Sequence, residues 1–333
     1  MNQALHLLLK ALSDPDEHLD VTKSRQLMNL KAFDPLKPLY LTRDETAEVD
    51  DHMISYRIYF PHEDASMAAK IDRGTERRQS VLYPVIFYIH GGGFSTESVE
   101  SYNKICWNLS RRTGHIVAAI DYPLAPEHRF PVQIQECYSL AKALYQNQTV
   151  IPVDPEKFII MGDSAGGNLT AAVCQMARDK KEFLPKRQIL IYPCVNNDYS
   201  ENSPFPSVME NGRDYLLTRL NMVDYLDFYQ GKAEDRQNPY FAPLMAEDYS
   251  GLPDALVITG EFDPLRDEGE EYARRMREAG VSVEHHRISD AIHGFFLLPT
   301  HYPSVRETYE YINEFLSEVD SSVSNEENQL ENA

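Results

Sequence analysis

The sequence predicts an α/β fold in which a mostly parallel sheet has helices on both faces. Short, continuously apolar runs recur from residue 85 onward, as is typical of parallel strands that are buried on both sides. Segments with apolar residues at helical spacing separate these runs. The length of 333 residues and the hydrophobic content of 42% are sufficient for one large domain with a sizeable core.

Residues 1–50 are predicted to form an N-terminal cap or arm. Leucines at helical spacing predict an amphipathic helix near the start, with an apolar face formed by Leu5, Leu8, Leu9 and Leu12. Lys10 and the acidic stretch 14–17 interrupt this apolar segment, so we do not interpret it as a secretory signal. Prolines punctuate 34–38, and no strong strand is predicted in this part of the chain.

Residues 51–318 are predicted to form the main domain. An alternating stretch at 54–60 predicts a half-buried antiparallel strand, and the polar stretch 62–79 predicts a surface loop. Parallel strands are expected at 85–89, 116–120, 158–161, 189–192, 255–259 and 283–288. Helices are expected at 101–112, 132–146, 168–180, 218–229, 268–279 and 305–318.

Two further segments are assigned by their length and composition. The connection between Cys194 and Leu252 is too long for a simple crossover, so we predict an insertion near 196–230 that adds a second cap element. The last residues, 319–333, are acidic and polar, which favours a disordered tail.

The composition excludes several classes of partner. Asp plus Glu number 52 and Lys plus Arg number 32, which gives a formal net charge of −20. Such an acidic surface repels phosphate backbones and anionic headgroups, so neither nucleic acid nor stable membrane association is expected. The cysteines have no C-x-x-C or zinc-type spacing, and they fit buried thiols in a reducing, cytoplasmic compartment: Cys106, Cys137, Cys174 and Cys194.

The sequence Gly-Asp-Ser-Ala-Gly at 162–166 lies between an apolar run and a helix-forming segment. A sharp strand-to-helix turn needs small neighbours, which Gly162 and Gly166 supply. Such a turn exposes the Ser164 hydroxyl at the carboxyl end of a strand and directs the N–H of Ala165 toward whatever the serine attacks. This arrangement predicts a nucleophilic serine.

The strand at 85–89 ends in His-Gly-Gly-Gly. Glycines allow backbone N–H groups to converge on a ligand, so the N–H groups of Gly91 and Gly92 are predicted to join that of Ala165 in an oxyanion hole. A phosphate-binding loop is not indicated, since neither Gly-Lys-Ser/Thr nor G-x-G-x-x-G is present. We expect His90 to brace this loop by hydrogen bonding.

A carboxylate and a histidine follow two later strands. Asp263 comes after the strand at 255–259, and His293 comes after the strand at 283–288. Ligands collect at the carboxyl ends of parallel strands, so both side chains are expected near Ser164. The chain order of serine, acid and histidine is the order found in α/β-hydrolases.

Five motifs carry a family resemblance, namely those at 90–93, 121–128, 162–168, 263–267 and 293–295. Together they resemble the hormone-sensitive-lipase-like family of α/β-hydrolases, in its bacterial carboxylesterase and acetyl esterase branch. The resemblance implies an α/β-hydrolase fold with a helical cap. It also implies that Ser164 is the nucleophile, His293 the general base and acid, and Asp263 the orienting carboxylate. Pro123 departs from the family pattern, which usually has arginine there, and this concerns the hydrogen bonding around Glu127.

The predicted function is that of a serine carboxylesterase that hydrolyses short-chain or small aromatic esters through an acyl-enzyme. An amide-type hydrolase similar to arylformamidases stays open, because the chemistry differs mainly in the leaving group. A non-catalytic receptor is disfavoured, since plant gibberellin receptors with this resemblance have lost the histidine present here as His293. No cofactor is expected. A metal site at the adjacent His285 and His286 is not expected either, because neighbouring residues on a strand face opposite sides. The expected partner is a small ester, and a homodimer through the edge strand at 283–288 stays open.

Overall fold

One sheet of eight strands forms the centre of the part of the chain that the structure describes. The structure is a computed structural model, and it describes residues 3–31, 34–49, 52–63 and 82–330. The strands are β1 (Thr42–Val49), β2 (His52–Tyr59), β3 (Tyr83–Ile89), β4 (Ile116–Ile120), β5 (Val153–Asp163), β6 (Arg187–Ile191), β7 (Asp254–Phe262) and β8 (Val283–Ile292). Their order in the sheet is β1-β2-β4-β3-β5-β6-β7-β8.

The six strands from β3 to β8 are parallel, whereas β2 pairs antiparallel with both β1 and β4. The apolar runs of the sequence lie in the parallel strands because both faces of the sheet are covered. In β3, Val85, Phe87 and Ile89 pack into one buried cluster, and Ile86 and Tyr88 pack into another on the opposite face. The predicted fold class of a mostly parallel sheet is therefore confirmed.

Helices lie on both faces of this sheet. They are α1 (Gln3–Leu12), α2 (Val21–Lys31), α3 (Asn103–Thr113), α4 (Val132–Tyr145), α5 (Ala165–Lys180), α6 (Pro206–Asn211), α7 (Arg219–Tyr229), α8 (Arg266–Glu278) and α9 (Pro303–Leu330). Apolar side chains of α4 and α5 pack on one face, and those of α3 and α9 pack on the other. None of the helices in the described ranges combines the length and apolar character that a membrane span requires.

Strand β1 lies within residues 1–50, where the sequence predicts no strong strand. It pairs with β2 along its whole length, so the N-terminal arm ends before Thr42. Only Ala47 of this edge strand is fully buried, and four of its eight residues are charged. An edge strand that contacts water lacks the continuous apolar run of an inner strand, so the apolar pattern of the sequence did not predict β1.

The C-terminal helix also differs from the prediction. Disorder was expected over 319–333, but the described residues 319–330 continue α9. This stretch contains no proline or glycine that would end a helix. Residues 331–333, and all but the start of the predicted surface loop at 62–79, lie outside the described residues.

The two segments predicted as a cap contact each other. The connection between β6 and β7 contains α6 and α7, and the arm packs against it. The carboxylate of Asp224 in α7 accepts from the N–H of Leu19 at 2.7 Å and lies 2.7 Å from His18 Nδ1. Lys10 Nζ lies 2.9 Å from Asp214 Oδ2. The arm and the insertion therefore form one continuous covering layer.

Candidate active site

Ser164 lies in the sharp turn between β5 and α5. Its backbone has φ 54° and ψ −119°, a conformation that L-residues rarely adopt. Two backbone hydrogen bonds hold the turn: the N–H of Ser164 donates to the Ile191 carbonyl at 2.9 Å, and its carbonyl accepts from the N–H of Cys194 at 3.2 Å. The strained turn is therefore fixed by the neighbouring strand β6 and the residues that follow it.

The glycines on either side of Ser164 are required by space. A Cβ atom on Gly162 would overlap the carbonyl of Gly166, and one on Gly166 would overlap the carbonyl of Ile89 at the end of β3. The start of α5 therefore approaches β3 more closely than a side chain would allow. This is the strand–turn–helix geometry that the motif predicts.

His293 joins Ser164 to Asp263. The His293 Nε2 atom lies 2.9 Å from Ser164 Oγ, and Nδ1 lies 2.8 Å from Asp263 Oδ2. The Asp263 side chain is fully buried and the His293 side chain is 13% exposed. Asp263 Oδ1 also accepts from the N–H of Leu265 at 2.8 Å, which fixes the carboxylate. The three side chains come from the carboxyl ends of β5, β7 and β8, where the sequence placed them.

A profile of the alpha/beta hydrolase fold matches residues 86–297, which is more than half of the chain. The chain is an α/β-hydrolase of the hormone-sensitive-lipase-like family. This hydrolase is 34% identical to an arylesterase from Saccharolobus solfataricus over 80% of each chain. It is 30% identical to an ethyl acetate hydrolase from Pseudomonas putida over 87% of this chain and 85% of that one. A solved esterase from Pyrobaculum calidifontis superposes with a TM-score of 0.81 at 34% identity, covering 96% of this chain and 99% of that chain.

The glycine loop of the hydrolase departs from the predicted arrangement at Gly91. The N–H of Gly91 donates to Asp163 Oδ1 at 3.1 Å and to the Tyr102 hydroxyl at 3.2 Å. Gly91 is absent from the lining of the cavity beside Ser164, whereas Gly92 and Gly93 are part of it. The prediction of Gly91 as an oxyanion donor is therefore corrected, because its only N–H is used inside the protein.

Gly92, Gly93 and Ala165 surround the cavity next to Ser164. Within the described residues, the N–H groups of Gly92 and Gly93 have no hydrogen-bond acceptor. Gly92 has φ +100° and Gly93 has φ +59°, so both adopt backbone conformations that favour glycine. A Cβ atom on Gly93 would also overlap the ring of Tyr225 in α7.

Asp163 is a buried acid that the sequence analysis did not single out. It accepts from the hydroxyl groups of Tyr88 and Tyr102, each at 2.9 Å, in addition to the N–H of Gly91. Burial raises the pKa of Asp163 to about 6, and the three donors oppose that rise. A carboxyl group next to the serine, at the end of a buried strand, is the signal that could have drawn attention to it.

His90 and Glu127 both contact loops beside the cavity. His90 is buried, its Nδ1 lies 2.8 Å from the Gly91 carbonyl, and its ring stacks on Tyr122 with a centroid separation of 4.3 Å. Burial lowers the pKa of His90, which favours the neutral ring with Nδ1–H as the donor. The Glu127 carboxylate is held by Arg25 of α2 through two hydrogen bonds of 2.7 and 2.8 Å.

A cavity of about 130 Å³ lies over Ser164. The arm contributes Met28 to its lining, and the insertion contributes Leu217, Met222 and Tyr225. An adjoining groove of about 360 Å³ shares four lining residues with this cavity: Met28, Glu97, Tyr102 and Leu297. Covering segments of this kind are not encoded in short motifs, so the positions of Met28, Leu217 and Met222 over the site were not predicted from the sequence.

The adjacent histidines His285 and His286 lie in β8, away from this cavity. His285 Nε2 is 3.1 Å from the Thr259 hydroxyl, whereas the His286 ring stacks on Tyr311 at 3.7 Å between centroids. The two side chains therefore contact different helices and strands, as expected of neighbours on a strand.

Proposed function

We propose that this hydrolase is a serine carboxylesterase that cleaves short-chain or small aromatic esters. The observation that carries the proposal is the position of His293, which bridges Ser164 and Asp263 at 2.9 and 2.8 Å. These are hydrogen-bonding distances for a nucleophile, a base and the acid that orients the base. The names of the related proteins, an arylesterase and an ethyl acetate hydrolase, agree with this chemistry.

The proposed mechanism has two halves. His293 Nε2 takes the proton of Ser164 as the hydroxyl oxygen attacks the ester carbonyl carbon, and the Asp263 carboxylate stabilises the imidazolium that forms. Collapse of the tetrahedral intermediate passes that proton to the departing alcohol and leaves the acyl group on the serine. Water then attacks the acyl-enzyme with the same assistance, and the acid is released.

The proposed oxyanion hole consists of the N–H groups of Gly92, Gly93 and Ala165. All three residues line the cavity beside Ser164. Negative charge develops on the carbonyl oxygen as the serine attacks, and fixed donors that need no rearrangement stabilise it. Removing one such donor typically lowers the rate by about a hundredfold to a thousandfold.

The size of the cavity supports small substrates. A volume of about 130 Å³ holds a short acyl group or one aromatic ring but not a long acyl chain. The adjoining groove of about 360 Å³ has room for the larger half of an ester. A series of p-nitrophenyl esters from acetyl to decanoyl tests the proposal, with Ser164→Ala as the blank. A maximum of kcat/KM at acetyl to butyryl supports it, and a maximum at octanoyl or decanoyl contradicts the short-chain preference.

An amidase activity with the same residues is the second candidate. The direct comparison is p-nitrophenyl acetate against p-nitroacetanilide, because the two share their acyl group and differ at the scissile bond. Ester turnover that exceeds anilide turnover by several orders of magnitude supports the esterase. Comparable turnover of both would favour the amide-type hydrolase. Binding without turnover of either would favour a receptor.

We further propose a cytoplasmic location without nucleic-acid or membrane partners. All four cysteines are buried and none is in a disulfide, which suits a reducing compartment. The net charge of −20 disfavours polyanions. A homodimer through the edge strand β8 is also proposed, since this strand pairs on one side only. Cell fractionation and light scattering of the purified protein test these two proposals separately.

A further inference from the structure

Arg25 of the N-terminal arm contacts three groups on two different loops. Its Nε donates to the Ser95 carbonyl at 2.8 Å, and one Nη donates to the Ala125 carbonyl at 2.7 Å. The two Nη atoms also bind the Glu127 carboxylate in a bidentate manner. A planar guanidinium that satisfies two carbonyls and a carboxylate at once is held in one orientation.

The Ser95 carbonyl belongs to the loop that carries the proposed donors Gly92 and Gly93, and the Ala125 carbonyl belongs to a second loop that supports it. Ser95 lies two residues after Gly93, and its N–H donates to the Gly92 carbonyl at 3.1 Å. Ala125 supports the same loop from the other side, since its N–H donates to the Phe94 carbonyl at 2.8 Å. Arg25 is therefore linked to the backbone around Gly92 and Gly93 on two sides, through Ser95 and through Ala125.

The loop at 121–130 has no arginine of its own that makes this contact. Its single arginine, Arg129, donates to the carbonyls of Asp227 and Gln230 in and after α7. The guanidinium that binds Glu127 comes instead from a residue 102 positions earlier in the chain.

We propose that Arg25 is a positioning residue that holds the oxyanion loop in its productive geometry. The proposal rests on the proposed esterase function. Without Arg25, the carbonyls of Ser95 and Ala125 lose their shared donor, and the N–H groups of Gly92 and Gly93 are no longer fixed on the carbonyl oxygen of the substrate. Small displacements of such groups are sufficient to lower a rate by about a hundredfold. The arm thus contributes to the rate of the chemical step as well as covering the site.

The shifts in the pKa values of Arg25 and Glu127 favour the ion pair at neutral pH. Hydrogen bonding to Arg25 lowers the pKa of Glu127 to about 2, and hydrogen bonding to Glu127 raises the pKa of Arg25. Both groups are therefore charged throughout the neutral pH range.

The test compares Arg25→Met with Lys10→Met, which removes a different cation of the arm. Lys10 binds Asp214 of the insertion and does not contact the glycine loop. Two quantities are measured: kcat and KM for p-nitrophenyl acetate, and the Ki of an aryl trifluoromethyl ketone, which forms a tetrahedral oxyanion adduct with a serine. The ketone reports the quality of the oxyanion hole independently of turnover.

Arg25→Met is expected to lower kcat by about tenfold to a hundredfold with KM within about twofold, and to raise the ketone Ki by a similar factor. Lys10→Met is expected to leave both unchanged. Arg25→Lys keeps the positive charge but loses the bidentate guanidinium, so it is expected to change kcat and the ketone Ki in the same directions by smaller factors. This variant is used in place of Arg25→Met if Arg25→Met does not fold.

Two results would overturn the proposal. One is a folded Arg25 variant with wild-type kcat, and the other is a lower kcat with an unchanged ketone Ki, because a purely structural contact would not act on the oxyanion. A wild-type protein without ester turnover that depends on Ser164 would overturn the proposed function as well. The activity of the wild-type protein therefore distinguishes a failure of the proposed esterase function from a failure of the proposal for Arg25.

Discussion

The N–H of Gly91 donates to the carboxylate of Asp163 at 3.1 Å, and this contact determines which glycines of the loop face the cavity. It turns the first glycine of the loop toward the buried acid beside Ser164 and leaves Gly92 and Gly93 at the cavity wall. Three consecutive glycines are equivalent in a sequence. The acid at position 163 distinguishes them in the structure.

Gly93→Ala is expected to lower kcat/KM by at least about a hundredfold, because the new Cβ would overlap the Tyr225 ring and displace an oxyanion donor. Gly114→Ala is the matched control. Gly114 has a similar φ, +73° against +59°, but a Cβ atom added there would have no neighbour within 4 Å. Gly114→Ala is therefore expected to lose only the free energy of unfolding that corresponds to backbone strain, about 1–2 kcal/mol, and to keep normal activity. Steady-state kinetics of both variants measure the difference. Equal activity of the two variants would show that Gly93 is not an oxyanion donor.

Ser164→Ala and His293→Ala are each expected to lower ester turnover by roughly four to six orders of magnitude, since the nucleophile and its base act as one unit. Asp263→Asn is expected to lower kcat by about four orders of magnitude, because the amide favours the wrong tautomer of His293. The exposed His301 offers a control, and His301→Ala should behave as the wild type. Near-normal turnover in either of the first two variants contradicts the assignment.

Tyr225→Ala is expected to shift the preference toward longer acyl chains. Tyr225 lines the cavity of about 130 Å³ and lies over Gly93, so its removal enlarges the space beside Ser164. The ratio of kcat/KM for hexanoate to that for acetate should rise about tenfold, a change that a few added methylenes in an apolar pocket can produce. Tyr215→Ala is the control, because Tyr215 lies in the same insertion but stacks on Phe262 outside the cavity. An unchanged ratio in Tyr225→Ala would show that the acyl group lies elsewhere.

Glu268 is predicted to make stability depend on pH. Its Oε1 accepts from the N–H of Val195 and the hydroxyl of Tyr199, each at 2.7 Å, but burial dominates and raises its pKa from 4.5 to about 8. The folded state then keeps a proton that the unfolded chain has lost. The stabilisation is fully present below pH 4.5 and is lost as the pH rises through 8, at no more than about 1.4 kcal/mol per pH unit.

Glu268→Gln is therefore expected to flatten the fall in the free energy of unfolding between pH 5 and 8. Urea denaturation at several pH values measures this slope. The control is Glu270→Gln, which removes an acid from the same helix that pairs with Arg287 at the surface. A wild-type slope in Glu268→Gln would show that this carboxyl group is charged in the folded protein.

The sequence was informative wherever one physical requirement dominates a stretch. Strands buried on both faces need continuous apolar runs, and those runs lie in β3 to β7. A nucleophile turn needs small residues around Ser164, and the overlap at Gly162 and Gly166 shows why. The acid and histidine could be placed because parallel strands end at one edge of the sheet.

The features that the sequence did not reveal depend on contacts between distant segments. Strand β1 is stabilised by pairing with β2 rather than by an apolar pattern. Arg25 belongs to no motif, and its importance arises only when α2 brings it to Glu127. Tyr225 is one of 20 tyrosines, and nothing in the chain distinguishes it before α7 folds over Gly93.

Covalent labelling shows directly whether Ser164 is the nucleophile. The wild-type protein is treated with diethyl p-nitrophenyl phosphate, and the modified peptide is located by mass spectrometry while hydrolysis of p-nitrophenyl acetate is followed in parallel. We expect one diethylphosphoryl group on Ser164, a loss of hydrolysis in proportion to its incorporation, and no label in the Ser164→Ala variant. Full hydrolysis by a protein whose Ser164 is completely labelled would show that Ser164 is not the nucleophile.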